Sequence, residues 1–444
     1  MSDNAENQDL KVFLSADNES ILIGKAAYSP RQRVCAFEWS TEARSRGLDL
    51  SPLNMPLHGP LFVGQQRLFD GLPGLLNDAL PDGWGLLLMD RALTQHGTQL
   101  STVSPLERLA FVAKRAMGAL TFEQADPRGQ IAERWARLGE LADEAQKIHR
   151  GATDAVSREL LLAGGSPQGA RPKIVAGLNA DFSEALVGAD ELPEGFSHWL
   201  VKFAAADEEI SAPAAEAAYY AVAKDVMALD TPEAMVLELA RRKAIATRRF
   251  DREGTTRRFV HSMSGILHTD HRVANCDYSH IAAILRRLPG GENDLEEAFA
   301  RAAFNLAMHV RDDHTKNHAF MRDGSGQWKM SPAFDLAFSP GPGGQHTLSY
   351  AGQWKDPGTE DLLRLAKDFL IEPSTAAKLI DKARASAAQF PSTAANLGAS
   401  QRLIKQISAR MKSVDANLRP IQVGADGLIV ESDAKKAGRP KKGS

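Results

Sequence analysis

The stretch that decides the fold is His309-Val310-Arg311-Asp312-Asp313-His314-Thr315-Lys316-Asn317. It contains Arg-Asp-x-x-x-x-Asn, the spacing of a phosphoryl-transfer catalytic loop. In such a loop the Asp accepts the proton of the attacking hydroxyl, and the Asn binds magnesium. Phosphoryl transfer asks for positioning and charge neutralisation more than for covalent chemistry. A carboxylate at 312 and an amide at 317 on one short loop can serve nucleophile and cation together.

Working outward, Ala333-Phe334-Asp335-Leu336 follows the strand-like segment 327–331. A single Asp at a strand end suits a second magnesium ligand that bridges phosphates. Upstream, Leu200-Val201-Lys202-Phe203 puts a lysine in an apolar strand, a costly place for a charge that meets no anion. An ATP phosphate is such an anion, and Glu216 on the following helix can orient the lysine as its ion-pair partner. Further upstream, Gly164-Gly165-Ser166-Pro167-Gln168-Gly169-Ala170-Arg171-Pro172-Lys173 lies between two apolar strand-like segments. Its glycines let backbone N–H groups approach a phosphate closely. The Gly-Lys-Ser/Thr ending of a Walker A loop is missing.

The 444 residues leave room for two or three domains. Apolar residues at 43% and charged residues at 25% are an ordinary globular balance, and a net charge of −3 does not mark a nucleic-acid binder. Cys35 and Cys276 are far apart and lack ligand partners at metal spacing, so neither a disulfide framework nor a zinc knuckle is expected. Residues 1–17 have neither the basic nor the apolar region of a signal peptide. No apolar run approaches the ~20 residues that cross a bilayer. A reduced, cytoplasmic protein without a membrane partner is the expectation.

Short apolar segments at 10–15, 21–24 and 33–38 read as strands, and 105–117 and 129–150 as helices. A strand-rich block follows from about 160, interrupted by a helix over 213–229 with Pro213 in its first turn. From 278 the pattern is helical, at 279–288, 295–310, 360–371, 374–389 and 399–415. The fold class is therefore α+β: a bilobal protein-kinase-like fold with an N-terminal β-rich subdomain and a mainly helical C-terminal lobe. The expected division is a subdomain over 1–120, an ATP-binding lobe over 121–277, a catalytic lobe over 278–420 and a disordered basic tail over 421–444. The tail contains Gly438-Arg439-Pro440-Lys441-Lys442, which reads as a solvated basic segment rather than a DNA hook.

Taken together, Gly164-Gly165-Ser166-x-x-Gly169-Ala170-Arg171-Pro172-Lys173, Arg249-Phe250-Asp251-Arg252, Asp312-Asp313-His314-x-x-Asn317 and Phe334-Asp335 resemble the HipA family of Ser/Thr kinase toxins from toxin–antitoxin modules. Gly71-Leu72-Pro73 through Leu80-Pro81-Asp82-Gly83-Trp84 is similar to that family's N-terminal subdomain. The likeness runs over about residues 10–415. It implies Asp312 as the catalytic Asp and Asn317 and Asp335 as magnesium ligands. It implies Lys202, Gly165, Ser166, Gly169 and Phe250 as ATP contacts, Phe250 lying at the hinge by the adenine. Ser166 becomes the serine whose autophosphorylation ejects the Gly-rich loop, and Glu216, Arg171, Lys173 and His314 are further residues of the site. ATP and magnesium are the implied cofactors. The implied partners are a cytosolic protein substrate, aminoacyl-tRNA synthetases being among the family's targets, and a HipB-like helix-turn-helix antitoxin through which alone DNA is reached.

Two readings compete. His309, His314 and His318 sit with Asp312 and Asp313, and His314-x-x-x-His318 has the spacing of a two-histidine zinc site, which would make a metal-dependent hydrolase. No Glu lies between those histidines to act as general base. The other reading is a non-catalytic co-repressor subunit of an antitoxin–DNA complex. A small-molecule kinase is not separated from a protein kinase by the residues alone.

Overall fold

The computed structural model describes residues 8–16, 19–124, 133–164, 169–205, 208–239, 242–419, 421–423 and 429–430. The chain opens on β1 (Gln8–Ala16), β2 (Glu19–Ser29) and β3 (Val34–Trp39), with β4 (Phe62–Val63) and β5 (Leu120–Gln124) completing a sheet of order β4-β3-β2-β1-β5. Leu10, Val12 and Leu14 are buried, the period-two pattern of a sheet with one face on a core. Between β4 and β5 come α1 (Gly83–Gln95) and α2 (Pro105–Val112). Ser104 and Glu107 close a capping box on α2, satisfying two N-terminal backbone donors.

The second sheet is built from β6 (Arg134–Ala136), β7 (Lys173–Leu178), β8 (Ala185–Val187), β9 (Ser197–Phe203), β10 (Ala234–Leu239) and β11 (Arg242–Arg248), in the order β10-β11-β9-β7-β8-β6. Lys173 pairs across from Lys202, and Gly177 from His198. The register puts Lys173, Val175 and Gly177 on the same face as Lys202, Leu200 and His198, since side chains alternate along a strand. The opposite face carries Ile174, Ala176, Trp199, Val201 and Phe203, which share a core with α1, α3 (Leu138–His149) and α4 (Arg158–Gly164).

The helix α4 differs from the sequence expectation of a strand before the Gly-rich loop. Leu160 to Gly164 are all buried, so the segment shows no polar face and its apolar run carries no helical period. The Gly-rich segment therefore leaves a helix and enters a strand. The connector expected as a helix over 129–150 begins as the edge strand β6 and becomes α3 at Leu138; residues 129–132 lie outside the described residues.

A helix α5 (Ala212–Val222) stands on the Lys202 face of the second sheet and ends in a π-helical turn over Ala223–Met227. Below it, β12 (Phe259–Ser262), β13 (Ala319–Arg322) and β14 (Trp328–Met330) form a small antiparallel sheet. The lobe is completed by α6 (Leu295–Ala307), α7 (Thr359–Asp368), α8 (Pro373–Asn396) and α9 (Gln401–Asp415). Of the stretch 421–444 expected to lack structure, Gln422–Val423 pairs with Ile429–Val430, and the other residues beyond 423 lie outside the described ones.

One apolar core runs from Leu10 and Val12 of the first sheet through Tyr219 of α5 to Phe304 of α6. A buried polar cluster crosses the same boundary. Asp78 accepts from the backbone N and Oγ of Ser262 at 2.7 and 2.6 Å and lies 2.6 Å from His261 Nδ1. The other ring nitrogen of His261 is 3.1 Å from Ser51 Oγ. Cys35 and Cys276 are buried free thiols. Among the described residues no helix is long and apolar enough to cross a membrane.

Candidate active site

Lys202, on β9, is 3% exposed. Its Nζ donates to Glu216 Oε1 at 2.8 Å and to Asp335 Oδ1. Burial works against the ammonium charge, but Asp335 and Glu216 carry its pKa well above the ordinary range. The other Glu216 oxygen takes Arg171, which also reaches Glu208 at 2.9 Å. Burial would raise the Glu216 carboxyl; Lys202 and Arg171 hold it low instead. A buried charge of this kind persists only because it is paired.

Asp335 follows β14 with a left-handed φ of +57°, and its backbone N–H donates to Tyr220 Oη of α5 at 2.9 Å. Burial opposes its ionisation, but Lys202 and Lys173 keep the carboxyl far below the usual range. Asp335, Asp312 and Asn317 line one recess. Asn317 Nδ2 donates to the Asp312 carbonyl at 2.8 Å, which leaves its Oδ1 for a cation. Partial burial raises the Asp312 pKa; His314 opposes this, while the like charges of Asp335 and Asp313 add to it.

Asp313 is 1% exposed and does something different. It accepts from Tyr278 Oη, His346 Nδ1 and the Thr347 backbone N, each at 2.9 Å, and from Thr347 Oγ1 at 3.0 Å. Burial would raise its carboxyl, but His346 and these donors hold it at about 2. Asp313 thus anchors the loop on which Asp312 stands.

Sequence reasoning missed Asp82 as a member of this site. Its Oδ2 accepts from Lys316 Nζ of the Asp312–Asn317 loop at 2.8 Å, and its Oδ1 accepts the backbone N–H of Gly169. Next to it, the Trp84 backbone N–H donates to Gly169 O and Trp84 Nε1 to Lys173 O, both at 2.9 Å. Gly83 has a φ of +45°, and a Cβ there would lie 2.7 Å from Gly169 O. A Cβ on Gly164, at the other end of the Gly-rich segment, would lie 2.4 Å from Leu88 Cδ1 and 3.2 Å from Trp84 Nε1. Both feet of the Gly-rich segment therefore rest on α1. The only signal in the sequence was the Leu80-Pro81-Asp82-Gly83-Trp84 run itself.

The remaining expected residues fall as follows. Gly165 and Ser166 lie outside the described residues. The Gly169 amide is already taken by Asp82. Lys173 is 4% exposed on the Lys202 face, and burial pulls its pKa down to about 8. The Phe250 ring meets that of Phe334 at 5.5 Å, and His314 meets His271 at 5.1 Å. The hydrolase reading finds no site: His309 bonds to Ser339 O and stacks on Phe338, His318 packs against Tyr278, and no cluster of three His, Cys, Asp or Glu able to hold a metal occurs among the described residues. The donor set of Asp312, Asn317 and Asp335 is hard oxygen, which suits magnesium rather than zinc.

A strand-rich lobe carrying a Lys–Glu pair, set on a helical lobe carrying an Asp–Asn loop, defines a kinase-like protein. The HipA N-terminal domain model matches residues 12–123 and the HipA-like C-terminal domain model residues 165–391. The chain belongs to the HipA family. A comparison with curated proteins gave no match. Among solved structures, the chain is similar to HipA of Shewanella oneidensis MR-1, from a complex with HipB and operator DNA. That likeness has 16% identity and a TM-score of 0.66, over 91% of this chain and 95% of that one. A weaker likeness is to the proinflammatory kinase CtkA of Helicobacter pylori, 11% identical over 49% of this chain and 92% of that one, at a TM-score of 0.31 that bears on nothing further.

Proposed function

We propose that the protein transfers the γ-phosphoryl group of ATP, with magnesium, to a serine or threonine hydroxyl of a protein. The observation that carries this reading is the meeting of Lys202, Glu216 and Asp335 with Asp312 and Asn317 in one cleft. Lys202 and Lys173 supply cationic side chains where an ATP phosphate would lie. Asp335 and Asn317 Oδ1 would hold magnesium, which supplies neutralisation of phosphate charge when bound. Asp312 receives the proton of the attacking hydroxyl, and Asp313 keeps that carboxylate in place. Phe250 and Phe334 offer apolar ring surface for the adenine.

In this reading Ser166 is the site of self-inactivation. Phosphate there adds up to two negative charges beside those of ATP, and like charge drives the segment out. Arg171 and Lys173, a few residues further along the same segment, are the basic groups toward which we take it to move. The partner we infer is a helix-turn-helix antitoxin, as in the Shewanella complex with HipB, so that DNA is met only through it. The protein acceptor is expected among cytosolic proteins such as aminoacyl-tRNA synthetases.

The test is incubation with ATP and magnesium followed by intact-mass spectrometry and peptide mapping. One added phosphate on Ser166, absent from Asp312→Gln, is the expected result. Phosphate on no residue, with no stabilisation by ATP and magnesium, would overturn the reading.

A further inference from the structure

A second recess lies at the segment Arg249-Phe250-Asp251-Arg252, apart from the cleft. It is small and open to solvent, and its wall includes Arg115, Gly177, Asp190, His198, Arg249 and Arg252. None of Lys202, Phe250, Asp312, Asn317 or Asp335 lines it. Arg115 comes from the N-terminal domain, so the recess sits where that domain meets the hinge.

The charges around it do not balance. Arg249 donates to Asp251 from Nε and Nη2 at 2.9 and 2.7 Å, and Arg252 donates to the same carboxylate at 2.8 Å. Asp251 also accepts the Gly118 backbone N–H at 2.7 Å. Arg257 pairs with Asp190. Arg115 bonds only to the carbonyls of Phe111 and Val112 and lies over the Phe111 ring at 5.4 Å; among the described residues it meets no carboxylate. Three guanidiniums and one carboxylate, Asp190, thus line the recess; with Arg257 and Asp251, which pair with these residues from outside the lining, the excess is still two positive charges.

A buried donor of the lining is also unmet: Arg252 Nε, on a residue 8% exposed, has no hydrogen-bond partner among the described residues; Arg257 Nη1, outside the lining on a residue 6% exposed, likewise has none among them. Buried charges and N–H groups are left in this state only at a cost, and an anion would remove it. Burial, and then Arg249, pull the Arg252 pKa down to about 9, further than Asp251 and Asp190 raise it. Burial and the same two arginines bring His198 down to about 4, so it is neutral at pH 7 and adds no charge, its Nε2–H being given to the Asp190 carbonyl at 3.2 Å.

We propose that this recess binds a small divalent oxyanion of the phosphate class, which completes the charge of the Arg249–Asp251–Arg252 cluster and ties the N-terminal domain to the hinge. Planar guanidiniums match the oxygens of a tetrahedral oxyanion better than they match a spherical halide. Arg115 is the residue on which occupancy depends most, because its guanidinium has no other counter-charge.

The experiment uses the full chain in chloride-only buffer, titrated with inorganic phosphate at constant ionic strength while the unfolding midpoint is followed. Phosphate should raise the midpoint by about 2 °C or more at tenfold excess over its dissociation constant, while added chloride should not. Arg115→Gln should lose that rise while keeping a midpoint in chloride close to the parent's. Ala189→Glu, which sets a carboxylate on the recess wall, should also lose the rise, and its midpoint in chloride should already be higher. Phosphate and chloride acting alike would overturn the proposal. So would an undiminished rise in Arg115→Gln, since phosphate would then be bound elsewhere, or an undiminished rise in Ala189→Glu.

Discussion

Asp312 and Asp313 are neighbours with opposite tasks, and their surroundings separate them. Asp312 has its pKa raised by burial and by like charge, so as pH falls it takes up a proton before an ordinary carboxylate would. The rate of phosphate transfer should therefore drop on an acid limb that lies higher in pH than that of an ordinary carboxylate. Asp312→Gln should lower transfer by about 10²-fold or more and leave ATP affinity nearly unchanged, whereas Asp335→Asn should weaken magnesium-dependent ATP binding as well. Labelled-ATP binding and transfer assays on both variants check this; equal loss of affinity would mean the two roles are misassigned. Asp313, held at about 2, contributes stability above its unfolded pKa that disappears as pH falls from about 4 through 2. Asp313→Asn should cost about 3 kcal/mol, read from urea unfolding at pH 7. Lys173 runs the other way: with its pKa at about 8 it loses its charge above that pH. ATP affinity should weaken as pH passes about 8, and binding there should take up protons, which calorimetry in buffers of different ionisation enthalpy would show.

At the scale of elements, the strongest sequence signals were local. The Asp312–Asn317 spacing and the Lys202 strand could be read because each packs its chemistry into a few consecutive residues. The helix α4 could not, because burial on all sides erases the polar stripe that marks a helix. Asp82 could not, because its partners Lys316 and Gly169 are 234 and 87 residues away in the chain. Nor could the Tyr278 and His346 support of Asp313, which comes from two separate segments that meet only in the fold. Asp82 should matter nonetheless. Asp82→Asn weakens its grip on the Asp312–Asn317 loop and leaves the buried Lys316 without its carboxylate, so phosphate transfer should fall about tenfold or more and the unfolding midpoint should drop, while far-UV dichroism at low temperature changes little. A variant with wild-type transfer would show that Lys316 needs no such partner.

At the scale of the whole molecule, the first sheet and the helical lobe share one apolar core, reinforced by Asp78, His261, Ser262 and Ser51. Scanning calorimetry should accordingly show the two melting together. Asp78→Ala leaves two buried donors of Ser262 and the His261 ring without their acceptor and should cost about 2–4 kcal/mol. If the boundary matters, its melting should also broaden or split.

The support of both feet of the Gly-rich segment by α1 has a consequence for inheritance. Gly164 and Gly169 are read against Leu88, Trp84 and Gly83, so the two parts of the gene are not interchangeable cassettes. A chimera that joins the first 124 residues of one relative to the remainder of another should keep its Gly-rich segment in register only if both parents carry small residues at these contacts. Recombination within this lineage is thus constrained at a helix that holds none of the reacting groups.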